Sequence, residues 1–352
     1  MDGIDGRKRY IDNLRTLTVL LLFPYHTFMI YNNWGEAFYI HGADLVIPSV
    51  FVGIFHIWMM PMLFALAGMS TYYALNRRSS KEYAKERTNR LFVPFVFGLL
   101  LLIPVQSYIA GLSHNGEANF FDFFTKFTDL QGYDGGFTPG HLWFILFLFV
   151  FSIVFLPLMM RYRGTPGNRR ADRMPFIVLM LLGVFPMLVN QINLESLFEY
   201  AALFLLGYFV LSSENVLVKL DRYRFPMFGI MVVCMGLTIY FDFYFLEMVS
   251  WLSILALLGM ARHYLNFSGR TTKYLSRASF GLYLFHQTWI VVVAYFIFGI
   301  TGDPLLQIPL IMLSAVLLTF ASYEVCRRIP IIKRMFGLDK GSASRGSVRD
   351  DR

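Results

Sequence analysis

Arg15 and His26 stand at the two ends of the first apolar stretch of the chain, Leu14 to His26. An ionisable side chain inside a membrane helix is costly and is by default a candidate for function. Eleven positions separate the two. At about 3.6 residues per turn this is close to three turns, so both side chains share one helix face, about 16 Å apart along the axis. A guanidinium is a permanent cation suited to phosphates. An imidazole is the side chain suited to proton transfer near neutral pH. Asp12, one turn before Arg15, is placed to orient the guanidinium. The plain alternatives are an arginine that snorkels to the headgroups and a histidine satisfied by packing.

Other residues could share that chemistry. Arg87 and Arg90 are an i, i+3 pair within Lys85–Pro94, a spacing that makes an anion clamp for a phosphate-rich ligand; ordinary flank charge is the simpler reading of either one. His56 in Phe55–Pro61 and His141 in Gly140–Phe144 fall at an outer depth similar to that of His26. Three imidazoles match the ligand type of a zinc site. None has a partner at i+4, so contacts to an acceptor, or hydrogen bonds that hold His26, fit better and no metal is expected. Ser279–Gln287 opens another apolar run, with Ser279 at its mouth and His286 inside it. Glu324 closes the last run, with Arg327 and Arg328 as its ordinary partners. The chain has no Gly-x-Ser-x-Gly, Walker A, His-Glu-x-x-His or Cys-x-x-Cys pattern, which disfavours a nucleophilic-serine hydrolase.

The elements that must position these groups are membrane helices. The 352 residues are 56% hydrophobic and only 15% charged, against roughly 25% charged in a soluble domain. Long apolar runs recur from end to end, without the short alternating segments of a β-barrel. The fold class is all-α, a polytopic membrane protein with about ten transmembrane helices, near 14–33, 51–75, 91–111, 141–160, 174–191, 197–212, 225–241, 244–260, 280–299 and 307–326. Their connections alternate in charge, and all 31 Lys and Arg residues except Lys126 fall on one side. The positive-inside rule makes that side cytoplasmic and puts both termini there. Topology thus accounts for the net charge of +8, and no nucleic acid partner is expected.

The first apolar segment carries His26 and lacks a small-residue cleavage pattern, so it reads as a retained helix. Cys234 and Cys326 fall near opposite ends of different spans, which argues against a disulfide. Residues 1–338 read as one membrane-embedded domain and 339–352 as a polar, disordered tail. The outer loop 112–140 is rich in rings (Phe120, Phe121, Phe123, Phe124, Phe127, Tyr133, Phe137), and Glu36, Asp44, Glu117, Asp122, Asp129 and Asp134 line the same side. These rings read as an interfacial belt or as a surface that stacks on a sugar.

Five landmarks occur in order: Arg15-x₁₀-His26, Ala67-Gly68, Arg87-x-x-Arg90, Gly140-His141-Leu142-Trp143-Phe144, and Ser279-Phe280-Gly281-Leu282-Tyr283-Leu284-Phe285-His286-Gln287. Together they resemble the acyltransferase-3 family of integral membrane acyltransferases over nearly the whole chain. Arg9-Tyr10-Ile11-Asp12, Phe55-His56 and the ending Tyr323-Glu324…Arg327-Arg328-Ile329-Pro330…Phe336-Gly337 are similar to a branch that acts on periplasmic glucans.

The resemblance implies a bacterial inner-membrane enzyme. It would move an acyl group from cytoplasmic acyl-CoA (succinyl-CoA or acetyl-CoA) to hydroxyls of an extracytoplasmic glycan. It implies His26 as the catalytic group, Arg15, Arg87, Arg90, Ser279 and His286 towards the donor, and His56, His141, Trp143 and Glu324 towards the acceptor. Two departures stand out. Glu324 lies six residues before Pro330 where many members have Glu-x-Pro, and Ala67-Gly68 replaces the usual Ser-Gly. The bilayer is the expected environment, and a homo-oligomer is compatible with the sequence. The competing class is a transporter or flippase for a glycan or small anionic solute, although internal repeats and paired broken helices are not evident.

Overall fold

The computed structural model describes residues 8–34, 38–127, 130, 132–163, 171–190, 196–241 and 246–338. The expected tail at 339–352 and the outer carboxylates Glu36 and Asp129 lie outside the described residues. Among these residues the chain is helical and contains no strand. The helices are α1 (Arg9–Leu20), α2 (Leu22–Met29), α3 (Val46–His56), α4 (Met59–Leu75), α5 (Ser80–Arg87), α6 (Val93–Leu101), α7 (Ile103–Asn115) and α8 (Asp122–Thr125). There follow α9 (Trp143–Val154), α10 (Leu156–Arg161), α11 (Phe176–Leu181), α12 (Val184–Asn190), α13 (Leu197–Leu206) and α14 (Glu214–Arg222). The last are α15 (Arg224–Phe241), α16 (Leu246–Tyr264), α17 (Arg270–Phe298), α18 (Pro304–Cys326) and α19 (Pro330–Met335).

Lipid offers the backbone no hydrogen bonds, so an apolar chain in it must satisfy its own, and helices do this within one segment. Four helical stretches are long and apolar enough to cross a membrane: Val46–Leu75, Ser80–Asn115, Arg270–Phe298 and Pro304–Cys326. A fifth is a bent pair, Leu197–Leu211 with Glu214–Arg222, which turns through 94°. Gly140–Val154, Phe176–Asn190 and Arg224–Tyr240 are shorter apolar helices. The expected spans are therefore more broken than their hydropathy implies, and proline explains much of it. A proline has no N–H for the carbonyl four residues back, and its ring crowds that carbonyl. Pro24, Pro61, Pro104 and Pro157 each follow a break by one to three residues, at Leu21, Ile57–Trp58, Leu102 and Phe155.

Two other irregularities are π turns, at Thr88–Phe92 between α5 and α6 and at Gly207–Leu211 after α13. A π turn holds one residue more than an α turn and occurs frequently at functional sites.

Contacts fix the direction of the bundle. Asn13 of α1 donates to the carbonyls of Leu265 and Phe267, just before α17 begins. Tyr274 at the start of α17 donates to Glu324 at the end of α18. Lys8 and Arg262 both reach Glu214. The described N-terminal and C-terminal residues thus lie at one end, here called the basic end. Tyr31, after α2, reaches Gln307 at the start of α18 at the opposite end. In the most apolar window of α17, 67% of residues are buried, against 22% in α18. So α17 is central and α18 turns most of its surface to the surroundings.

Backbone crosses backbone most closely at α4 and α13. A Cβ on Gly68 would sit 2.0 Å from the Phe204 carbonyl oxygen, and one on Gly207 would sit 2.1 Å from that of Ala65. The Ala67-Gly68 landmark therefore has a packing role: only a residue without a side chain allows this approach. The terminal Phe336-Gly337 pair is also accounted for. Gly337 adopts a left-handed conformation, φ +60°, just after Phe336, whose ring meets that of Phe285 at 5.1 Å.

Candidate active site

His26 on α2, His286 on α17 and His141 at the start of α9 meet towards the opposite end of the bundle. Ring centroids are 5.1 Å apart for His26 and His286 and 5.2 Å apart for His141 and His286. Each ring arrives by a different local device. His26 follows the Pro24 break by two residues. His141 lies in a short 3-10 turn, Gly140–Leu142, entered through Gly140 at φ +51°. His286 sits in the middle of the longest helix and is 1% exposed.

Aromatic rings enclose the group. Phe38 stacks on His26 at 5.9 Å, Phe23 meets His286 edge-on at 5.9 Å, and Tyr25 meets His26 edge-on at 5.0 Å. Hydrogen bonds to backbone fix two of the rings. His141 Nε2 lies 3.0 Å from the Leu284 carbonyl oxygen, and His286 Nδ1 lies 2.6 Å from that of Tyr283. Tyr283 donates its hydroxyl to the His141 carbonyl, which ties α9 to α17 at the same level. His26 Nδ1, His141 Nδ1 and His286 Nε2 are buried without a hydrogen-bond partner. Gln287 and Gln106 nearby each keep a buried, unpartnered side-chain oxygen, and Gln106 donates to Thr288.

The trio differs in membership from the one expected by depth. His56 is exposed and lies outside the cluster, with its Nδ1 2.9 Å from the Tyr25 hydroxyl. His286, from the far end of the sequence, takes its place. Among the described residues no group of three His, Cys, Asp or Glu side chains is arranged to hold a metal ion. Trp143 packs against Tyr200, Phe64 and Phe147.

Arg15 lies on the same rod as His26, towards the basic end. Its Nη2 donates to Ser70 Oγ at 2.5 Å, and its Nη1 lies 3.4 Å from Asp12. Thr71, the next residue of α4, bonds the Tyr83 hydroxyl at 2.9 Å. The Arg87 guanidinium lies over that tyrosine ring at 4.7 Å, and its Nε is buried without a partner. Arg15 thus contacts Ser70 directly, and Arg87 is linked to the adjacent Thr71 through Tyr83. Arg90 is engaged separately, at 3.3 Å from Glu86, which also holds Arg78. A π turn begins directly after Arg87 and contains Arg90. A cavity of about 380 Å³ lies further towards the basic end, lined by Lys8, Tyr72, Tyr73, Ser213 and Glu214 among others.

Ser279 is buried, with its hydroxyl on the Ser276 carbonyl, two turns below His286 on α17. Glu324 is paired with Arg327 at 2.6 Å and Arg328 at 3.6 Å, at the basic end, away from the histidines. In the outer loop, Phe123 is buried against Phe137, whereas Phe121 and Phe127 are exposed. Asp122 is held by Lys126 and Asp44 by His41.

Ser70, Phe38 and Gln106 are site residues that the sequence reading does not single out, and Tyr283 lies in the Ser279–Gln287 landmark without a role of its own. Ser70 and Gln106, polar within apolar runs, carry the only signal.

The family described as an acyltransferase domain, acyltransferase-3, matches residues 8–324. Glucans biosynthesis protein C of Escherichia coli O1:K1 / APEC is 24% identical over 187 residues, 51% of this chain and 46% of that protein. Its counterparts in strains E24377A and HS match to the same extent. The chain thus spans about half the length of the curated relatives it matches. No solved structure matches it. The chain belongs to the acyltransferase-3 family, and its apolar helices make it a membrane protein.

Proposed function

We propose that this member of the acyltransferase-3 family moves an acyl group, succinyl or acetyl, from cytoplasmic acyl-CoA to a hydroxyl of an extracytoplasmic glycan such as a periplasmic glucan. The observation that carries the reading is the division of labour along one rod. Arg15 is fixed to Ser70 near the basic end, and His26 joins two further buried imidazoles towards the other. An anionic donor needs cations at one end of its path and a base at the other. Arg15 and Arg87, both tied to the same level of α4, are suited to the donor's phosphates. The outward rings and carboxylates of loop 112–140 are suited to sugar.

In this reading His26 takes the proton of the acceptor hydroxyl as its oxygen attacks the thioester carbonyl. The carbon–sulfur bond breaks, the new ester forms, and the proton passes from His26 to the leaving thiolate. A second form has His26 itself carry the acyl group between two half-reactions. Ten spans with both termini in the cytoplasm, in a bacterial inner membrane, complete the proposal. The alternation of cationic and acidic connections supports that orientation.

The test is purified protein with radiolabelled acetyl-CoA and succinyl-CoA. Thiol release that requires a glucan acceptor is expected. His26→Ala should lower it by about 10²–10⁴-fold, the usual weight of a general base, with unchanged membrane insertion. Near-normal turnover in that variant removes His26 from the mechanism. Rapid quenching without acceptor separates the two forms, since only the relay accumulates label on protein.

A further inference from the structure

Two of the three clustered imidazoles have their neutral tautomers set by the backbone. A carbonyl oxygen can only accept. The His286 Nδ1 that lies 2.6 Å from the Tyr283 carbonyl therefore carries the ring hydrogen, and Nε2 is left as a bare lone pair. By the same argument His141 carries its hydrogen on Nε2, against the Leu284 carbonyl, and leaves Nδ1 bare. Both bare nitrogens are buried and unpartnered. A buried acceptor without a donor is costly, so such an arrangement calls for an N–H or O–H to complete it.

His26 supplies the complement. Among the described residues no backbone carbonyl takes a hydrogen from its ring, so its tautomer is not set by the main chain. Its Nδ1 is the third buried, unpartnered ring nitrogen of the group. Its centroid lies 5.1 Å from that of His286, with the planes tilted by 43°. The His26 ring is also confined, stacked on Phe38 and met edge-on by Tyr25, so it has few orientations to choose from.

We propose that His286 is the positioning residue of His26: His26 Nδ1 carries the ring hydrogen and directs it to the bare Nε2 of His286, leaving His26 Nε2 as the base. The chain of groups runs from His26 through His286 to the Tyr283 carbonyl. It repeats the logic in which a catalytic base is oriented by a third group, here a neutral imidazole instead of a carboxylate. The ring centroids are 5.1 Å apart and neither nitrogen has another partner, and catalytic hydrogen bonds often tighten only when the reactants enter. When His26 Nε2 accepts the hydroxyl proton, the ring becomes an imidazolium whose Nδ1–H still faces a lone pair. His286 gains and loses no proton in the step. The proton held on His26 Nε2 then leaves with the thiolate. This inference rests on the reading of His26 as the base.

The test uses full-length protein in lipid nanodiscs with ¹⁵N-labelled histidine rings, of which the chain has seven. Ring-nitrogen shifts distinguish protonated from bare positions, and single-histidine replacements assign them. The expected spectrum has His286 and His26 protonated on Nδ1 and His141 on Nε2. In His286→Leu, His26 should lose its fixed tautomer, whereas His286→Gln, which keeps an acceptor at the Nε2 position, should preserve it. His141→Leu should leave it unchanged. His26 protonated on Nε2 in the wild type, or fixed on Nδ1 in His286→Leu, overturns the proposal.

In the thiol-release assay, kcat should fall about 100-fold in His286→Leu and less than about tenfold in His286→Gln, with donor KM steady in both. Equal losses in the two variants overturn it as well. If wild-type protein transfers neither acyl group while the tautomers are as stated, the proposed function fails and the positioning of His26 stands.

Discussion

Ser70 gives Arg15 a neutral partner close by, with Asp12 further off at 3.4 Å. The guanidinium is thereby fixed in direction while much of its charge stays available to an anion. A hydrogen bond to a charged group contributes about 1.5–3 kcal/mol. With the Arg15 side chain 32% exposed, solvent screening lowers this to about 1 kcal/mol. Ser70→Ala should therefore raise the KM for acyl-CoA by about fivefold at little cost to kcat. Ser70→Asp, which offers the guanidinium a full counter-charge, should raise it further. Donor affinity unchanged in both variants would mean that Arg15 does not hold the donor. At this scale the sequence was a good guide to ionisable groups and a poor one to their partners. Arg15, His26, His141 and His286 stand out because charge or imidazole is costly in apolar stretches. Ser70 and Phe38 do not, because a hydroxyl bonded to its own helix and a ring are ordinary in membranes. His56 was grouped with the wrong companions because depth along a helix does not say which way a side chain faces.

Helices are held here by close approach as much as by apolar area, since lipid competes for apolar contact. Gly68→Ala would put a Cβ 2.0 Å from the Phe204 carbonyl oxygen, a backbone atom that cannot rotate aside. Overpacking of this kind costs about 1–3 kcal/mol, so the thermal midpoint in detergent should fall. Gly229→Ala, with nothing within 4 Å of the added carbon, serves as control and should stabilise by about 0.5–1 kcal/mol. Equal midpoints for the two variants would show that α4 and α13 are not locked by this crossing.

The start of α5 offers a pH-dependent element. Ser79 and Glu82 form a capping box, and the backbone N–H of Ser79, then its hydroxyl, hold the Glu82 carboxyl below its ordinary range. A lowered folded value means the contribution is present above the ordinary range and is lost as pH falls through the lowered value. The stability gap between wild type and Glu82→Ala should therefore be open at neutral pH and close in acid. A gap that widened in acid would contradict the cap. The all-helical class was legible from hydropathy, and the proline breaks were legible in principle, whereas only four stretches and one bent pair have the length and apolarity of a span. The π turns were not, because hydropathy has no feature that marks one extra residue.

For the whole molecule, the contacts bring the described N- and C-terminal residues to one end, where Lys8 and Arg262 share Glu214 and Arg327 pairs with Glu324. In a Cys234→Ala, Cys326→Ala background, a membrane-impermeant maleimide on intact cells should label Glu117→Cys and spare Lys81→Cys until the membrane is opened. The reverse pattern would invert the orientation. Charge asymmetry belongs to the whole chain and survives small errors in span boundaries, which is why it carries the proposed orientation better than any single span does. It could not anticipate that His26, His141 and His286 meet, since that depends on how helices pack in three dimensions. The π turn at Thr88–Phe92 has a further consequence, for chain length. It amounts to a one-residue insertion. Because the wide turn already absorbs that residue, deleting Asn89 would let α5 and α6 join as regular helix with their faces nearly in phase, leaving Tyr83 on Thr71 and Arg87 over the Tyr83 ring. The turn is thus a place where the family can gain or lose one residue and keep its arginine anchors, so a length difference of one here counts for less than a substitution of Arg87.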